Sequence, residues 1–373
     1  MSEAPSLSDI GIERDQLRAR DRDLAKRQRE AAAVAATEPP KPVSATERSQ
    51  NRLRPERLTD IIGQAEAAEL IGDMIRSAQS RSEPLDHVLL LGPAGTGKTT
   101  FANVIANELG TRCFQMAAPV ALDMLLELRD EMNEGDILFV DEIHQQAIIE
   151  RRGKESISSP EVFLSLLEDF TLATRDGVLA FPRITVVGAT TDPGRLPDPF
   201  IDRFPIEPVL APYSCRALEL IAESNATQLG LTLMPGVAEL FAGAARGTPR
   251  ILGNYVRNAE SLVGSDSYVV MEIAERVLFK LNRVTRDGLT RDMQAMLLFM
   301  YEKCERKMGD GEVRYQASIN TIATAIGLSR DTKAIQLRVE PYLIQAGYVQ
   351  LGSGGRILTH DGIWRARQLE KGT

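Results

Sequence analysis

The stretch Val88-Leu89-Leu90-Leu91-Gly92-Pro93-Ala94-Gly95-Thr96-Gly97-Lys98-Thr99 decides how this chain is read. A short apolar run ends in a loop that fits G-x-x-x-x-G-K-[ST], and Lys98 to Leu109 reads as a helix. A buried strand that passes through glycines into a helix start aims successive backbone N–H groups at one point. The helix dipole favours negative charge at the same point, so the arrangement cradles phosphate. The expected ligands are ATP and Mg2+. Gly92, Gly95, Thr96 and Gly97 form the cradle, Lys98 neutralises the β- and γ-phosphates, and Thr99 ligates the metal.

Downstream, Ile137-Leu138-Phe139-Val140-Asp141-Glu142 sets two carboxylates at the end of a β-branched, buried strand. In a doubly wound parallel sheet that end lies beside the phosphate loop. Asp141 is expected to hold magnesium, and Glu142 to polarise the water that attacks the γ-phosphate. His144 reads as packing. A third strand, Ile184-Thr185-Val186-Val187, ends in Gly188-Ala189-Thr190-Thr191, which makes Thr190 a candidate sensor of the γ-phosphate. Asp202-Arg203-Phe204 and Arg246-Gly247-Thr248-Pro249-Arg250 each place arginines at a segment boundary. A planar fork that stays protonated suits the charge on a transferring phosphoryl group, although a surface ion pair is the commoner fate of one arginine.

Working outward, 373 residues are enough for two or three domains, and alternating strand and helix candidates from about residue 64 imply an α/β fold with a parallel sheet. Residues 1–50 form a tail and proline-bearing linker, disordered or partly helical; 51–211 form the ATPase domain; 212–285, wholly helical in reading, a lid; 286–373 a winged helix. The net charge of -8 does not advertise nucleic acid, but residues 286–373 carry 13 basic against 10 acidic groups. No apolar run approaches a membrane span, and the three cysteines are widely spaced, which fits reduced thiols in a cytoplasm.

In the C-terminal part, Ser318 to Ile326 reads as a short helix, Gly327-Leu328-Ser329 as a turn and Arg330 to Gln345 as a longer helix bearing Arg330, Lys333 and Arg338. Tyr348-Val349-Gln350-Leu351 and Arg356-Ile357-Leu358-Thr359 read as a hairpin around Gly352-Ser353-Gly354-Gly355. Such a wing suits DNA, with protein contact as the other use.

The order of these elements, together with Leu53-Arg54-Pro55, Ile62-Gly63-Gln64, Leu85-Asp86-His87-Val88, Asp141-Glu142-Ile143-His144, Leu167-Glu168-Asp169-Phe170, Arg246-Gly247-Thr248-Pro249-Arg250 and Glu340-Pro341-Tyr342-Leu343-Ile344-Gln345, resembles the RuvB family. These are AAA+ motors that drive branch migration of Holliday junctions. The resemblance implies an AAA+ P-loop domain, a small helical lid and a winged helix. It implies Leu53 and Arg54 near the nucleotide, Gly95, Lys98, Thr99 and Thr100 around phosphates, Glu168, Asp169 and Phe170 lining the nucleotide site, and Tyr213 beside the adenine. It further implies that Arg250 senses the same subunit's nucleotide, that Arg203 reaches into a neighbour's site, and that Arg356 contacts DNA; Arg330 and Lys333, from the helix-turn-helix reading, are further candidate DNA contacts. A hexameric ring on duplex or four-way-junction DNA follows from it.

Two departures stand out. Only Thr171 to Arg183 separates Phe170 from Ile184, where the family carries a longer hairpin that docks a RuvA partner, and an extra segment runs from Glu150 to Pro160. In the wing, Leu351 and Gly354 stand where the family has basic residues. An ATP-driven DNA translocase is the leading expectation. A loader or initiator that uses ATP as an assembly switch, and a remodeller of protein complexes, are the alternatives.

Overall fold

A computed structural model of the chain describes residues 53–147, 150–152, 155–158, 160–174, 177–264, 267–307, 313–328 and 332–371. Met1–Arg54 forms one unit and Pro55–Thr373 another. The tail and linker expected over 1–50 lie outside the described residues, and Leu53 and Arg54 belong to the N-terminal unit. The larger unit is described below.

Its first part runs α1 (Ala65–Arg81), β1 (Val88–Leu91), α2 (Lys98–Leu109), β2 (Cys113–Ala117), α3 (Leu122–Glu131) and β3 (Ile137–Asp141). Two antiparallel hairpins follow, β4 (Glu150–Arg152) with β5 (Glu155–Ser158) and, beyond α4 (Pro160–Asp169), β6 (Thr171–Thr174) with β7 (Gly177–Ala180). Strand β8 (Thr185–Thr190) and the single turn α5 (Asp198–Ile201) complete it. The sheet order is β1-β8-β3-β2, all parallel, and residues 206–209 extend it beyond β1 through the bridges Val88–Ile206 and Leu91–Val209.

Period-two alternation builds a core on each face of this sheet. Val88, Leu90, Ile137, Phe139, Val187 and Ala189 meet Ile71, Ile75, Phe101 and Ile105 of α1 and α2. Leu89, Leu138, Val140 and Val186 meet Leu125, Leu128, Phe163 and Leu166 of α3 and α4. Each fully buried large side chain contributes roughly 1.5–3 kcal/mol, so the strand ends that carry polar groups rest on a rigid base.

A second core is helical: α6 (Cys215–Gln228), α7 (Val237–Ala244), α8 (Pro249–Val263) and α9 (Met271–Glu275), the last continuing as a wider turn over Arg276–Asn282. Ser214 caps α6 by accepting from the Ala217 amide, and Pro249 occupies the first turn of α8, where no N–H is needed. The reading of this region as wholly helical is corrected by a short parallel pair, β9 (Thr232–Leu233) with β10 (Tyr268–Val269). Two-residue strands leave no periodicity to read.

The third core joins α10 (Arg291–Lys303), β11 (Glu305–Lys307), β12 (Val313–Ala317), α11 (Ile319–Ala325), α12 (Thr332–Ala334), α13 (Glu340–Gln345), β13 (Val349–Gly352), β14 (Gly355–Leu358) and α14 (His360–Glu370). Its strands lie in the antiparallel order β11-β12-β14-β13. Gly352 pairs with Gly355, so Ser353 and Gly354 alone make the wing's turn. The long second helix is not continuous α-helix: Ile335–Val339 is a wider π turn leading into α13. Pro341 has no N–H to offer Leu337 and its ring crowds that turn, which the widening relieves.

A dense joint links the second and third cores. Asp287 accepts both forks of Arg365 at 2.8 Å and the Tyr348 hydroxyl at 3.2 Å, while Tyr342 donates to the Asp287 carbonyl at 2.6 Å. Arg246 lies 5.7 Å over the Tyr342 ring. No helix among the described residues is long and apolar enough to cross a membrane.

Candidate functional site

The loop after β1 is built for close approach. Gly92, Gly95 and Gly97 have φ of 144°, 82° and 105°, which side chains rarely tolerate. A Cβ on Gly92 would collide with the Leu210 carbonyl, and one on Gly95 would come 2.6 Å from Thr248 Cγ2. Gly97 caps α2 without a side chain, leaving the first-turn amides for a ligand. Lys98 is buried, and its ammonium donates to the carbonyls of Gly92 at 2.7 Å and Pro93 at 2.9 Å. Burial lowers its pKa, Glu142 and Asp141 oppose that, and Arg250 adds to it. Thr96 is also buried and donates to the Pro93 carbonyl, tightening the loop from within. Thr99 and Thr100 follow on the first turn of α2.

This cradle, with its desolvated lysine, fits a chain of phosphates. The Thr99 hydroxyl and Asp141 carboxylate are hard oxygen donors of the kind magnesium takes alongside phosphate oxygens.

At the neighbouring strand end, Asp141 closes β3 and accepts the Glu142 amide at 3.1 Å. Glu142 itself adopts φ 51°, a left-handed turn for a non-glycine residue. Thr191 donates to its carboxylate through its hydroxyl, 3.1 and 2.9 Å from the two oxygens, and through its amide at 3.3 Å. Thr190, by contrast, is fully buried, and its hydroxyl oxygen takes the Asp192 amide at 3.0 Å and meets His144 Nδ1 at 2.9 Å. Thr190 closes β8, whereas Thr191 follows the strand end and is exposed. Of the two hydroxyls that the sequence reading put at this strand end, that of Thr191 is the one that reaches Glu142.

The helical core closes over the loop. Tyr213 donates to the Thr96 carbonyl at 3.2 Å, and its amide donates to Gly247 at 3.0 Å. Its ring fills the space where a Cβ on Gly63 would stand, 2.9 Å from Cδ1, and Gln64 ties down the approach by donating to the Ala211 carbonyl at 2.7 Å. Arg250 opens α8, its Cβ 3.4 Å from where a Cβ of Gly95 would be. Tyr213 and Arg250 are thus brought to the phosphate loop as expected from sequence.

Glu168, Asp169 and Phe170 are not. They end α4 at the opposite, N-terminal end of the strands, where His87, just before β1, donates through Nε2 to the Leu167 carbonyl and accepts the Val186 amide at Nδ1. Five residues of extended chain separate His87 from Gly92, roughly 16 Å at about 3.3 Å per residue. Arg203 lies at this same N-terminal end, with Nη2 2.8 Å from Glu168 Oε2. Its Nε is buried without an acceptor among the described residues.

In the third core, Lys333 sits on α12, and Arg330 lies outside the described residues. Arg356 differs from the sequence expectation of a free DNA contact. Opposite Leu351 in the hairpin, it donates from Nε and Nη2 to Glu340 at 2.5 and 3.0 Å, with both side chains largely buried. Exposed apolar side chains of this core include Val313, Leu337, Ile344, Leu351 and Trp364.

A parallel sheet with a phosphate loop, acidic strand end, helical lid and winged helix defines a P-loop ATPase of the AAA+ class. Residues 53–210 match the P-loop domain of Holliday junction DNA helicase RuvB, and residues 286–366 match the RuvB C-terminal winged helix domain. The chain is 34% identical over 330 residues, 87% of this chain and 90% of the relative, to the Holliday junction branch migration complex subunit RuvB of Prochlorococcus marinus (strain MIT 9303). Among solved structures it resembles the Thermotoga maritima RuvB Holliday junction branch migration motor, with TM-score 0.69 and 29% identity over 85% of this chain and 98% of that one. A mutant of the same Thermotoga maritima protein matches with TM-score 0.69 and 28% identity over 84% and 98%. The chain belongs to the RuvB family.

Proposed function

We propose that this chain is an ATP-driven motor on duplex DNA that drives branch migration of four-way junctions in recombination and repair, working in the cytoplasm as a hexameric ring. The observation that carries the reading is the union, in one chain of this family, of the phosphate cradle with a winged helix and an arginine at the end of the strands remote from its own phosphate loop. Lys98 and the glycine-rich amides hold the triphosphate, Thr100 supports them, and Tyr213 lies against the base. Thr99 and Asp141 would hold Mg2+, which would supply positive charge to the phosphate chain. Glu142 orients and polarises the attacking water, and Arg250 senses the γ-phosphate from above the loop.

Arg203 completes the site of the next subunit. Its separation from Gly92 in its own subunit supports this, as does its partly exposed side chain. Glu168, Asp169 and Phe170 lie at the same end and therefore serve the neighbour's nucleotide rather than their own. Hydrolysis then requires two subunits, and their relative motion is what advances DNA. A RuvA-like adaptor would meet only the short β6–β7 hairpin, whose exposed Val178 and Leu179 are its apolar contacts. That short hairpin is also what favours the second reading, a loader that uses ATP as an assembly switch.

The test is ATP turnover by the purified chain with and without duplex DNA, together with migration of a mobile four-way junction, in the presence and absence of an adaptor. DNA-stimulated turnover with junction movement is expected. Stable ATP-dependent DNA binding with no movement supports the loader, and hydrolysis without any DNA binding removes both.

A further inference from the structure

His144 belongs to no role assigned above, yet it occupies the space between the two strand ends that carry Glu142 and Thr190. It is buried, and a single ring nitrogen, Nδ1, lies 2.9 Å from Thr190 Oγ1 and 3.3 Å from Glu142 Oε2. The Thr190 contact is a hydrogen bond whose direction depends on the ring tautomer, and the Glu142 contact is a close charge-to-ring approach beside it.

The mount is rigid. His144 lies on the short 3-10 turn Ile143–Ala147. Ile143 is fully buried against Gly188, where a Cβ would come 2.8 Å from its Cδ1. Gln146 is buried too, accepting the Val120 amide at 2.6 Å and donating to the Val120 carbonyl at 3.2 Å. Thr190 is fixed from its other side by the Asp192 amide. Glu142, in its left-handed turn, is therefore held by the Thr191 donors on one side and faces His144 Nδ1 on the other.

We propose that His144 is a positioning residue for ATP hydrolysis, whose imidazole, hydrogen-bonded through Nδ1 to the Thr190 hydroxyl, stands against the Glu142 carboxylate and so fixes the direction in which that carboxylate meets water. The inference rests on the reading of Glu142 as the group that polarises the attacking water. His144 touches neither phosphate nor metal in this role. Removing it leaves nucleotide binding intact and lets the carboxylate turn away, and small misplacements of reacting groups are costly in rate.

Asparagine and glutamine separate this role from packing. The amide nitrogen of asparagine falls near the place of Nδ1, whereas that of glutamine falls near Nε2. Full-length wild type, His144→Asn, His144→Gln and His144→Leu are compared for kcat and KM of ATP with duplex DNA present, for nucleotide Kd by calorimetry, and for melting temperature. Glutamine and leucine are expected to lower kcat by about tenfold to a hundredfold with KM and Kd unchanged, while asparagine keeps most of the rate. Equal loss in asparagine and glutamine, an unchanged kcat in glutamine, or a faster kcat overturns the proposal, as does a loss that follows melting temperature alone. Wild type that binds nucleotide but never hydrolyses it would instead remove the catalytic reading of Glu142, and this inference with it.

Discussion

Lys98 reaches back onto the carbonyls of Gly92 and Pro93, so its charge is held at the mouth of the loop before any phosphate arrives. Lys98→Ala is expected to abolish detectable heat on titration with magnesium nucleotide while leaving the melting temperature close to wild type. At the same scale, the bidentate Arg356–Glu340 pair is largely buried, and removing one partner of such a pair costs about 3–5 kcal/mol. Arg356→Ala should therefore lower the denaturant midpoint reported by Trp364, the chain's only tryptophan, located on α14 of the same core. Loss of DNA binding without that destabilisation would show instead that the guanidinium acts directly on DNA.

Asp136 supplies a pH signature. Burial pushes its carboxyl up, but hydrogen bonds from Arg112 and from the Asn133 and Arg112 amides outweigh that and hold it below the usual range. Its contribution is then fully present above the unfolded carboxyl pKa, about 3.9, and is lost as pH falls through the lower folded value. The urea midpoint should drop on acidification below about pH 4, and Asp136→Asn should flatten that drop. What the sequence disclosed at this scale was local. Gly92 to Thr99 and Asp141-Glu142 act through neighbours in the chain, whereas the contact of Thr191 with Glu142, the pairing of Glu168 with Arg203 and the capture of Arg356 by Glu340 depend on contacts from distant segments.

Among elements, periodic ones were legible. Lys98–Leu109 is the helix its pattern predicts, β1 is the expected apolar run, and β3 and β8 differ only at their ends. The pairs β9–β10 and β4–β5 were not, because strands of two to four residues carry too little alternation and draw their stability from partners. The joint between the helical core and the winged helix was equally invisible. Gly288 has φ 80°, and a Cβ there would come 2.6 Å from both the Ala244 carbonyl oxygen and Arg246 Cγ. Gly288→Ala is expected to cost about 1–3 kcal/mol, since strain and overlap add. The loss should appear in the Trp364-reported midpoint, with nucleotide Kd unchanged; a midpoint equal to wild type would mean that the joint yields without penalty.

At the scale of the whole molecule, one subunit carries two halves of two different sites. The phosphate loop, Asp141, Glu142, Tyr213 and Arg250 gather at the C-terminal ends of the strands, while Arg203 and Glu168 lie together at the other end. The fold class was legible in the strand-loop-helix text around Lys98, but the polarity of the subunit needed the pairing of Val88 with Ile206, which sends Arg203 to the N-terminal side of the sheet. The most direct measurement is ATP turnover, with duplex DNA, of Lys98→Ala and Arg203→Ala subunits alone and mixed over a range of ratios. The account predicts that each alone is inactive and that turnover reappears in mixtures, greatest near equal amounts, because a Lys98→Ala subunit still offers Arg203 to the intact loop beside it. Absence of turnover at every ratio, in material shown to assemble together, would contradict it.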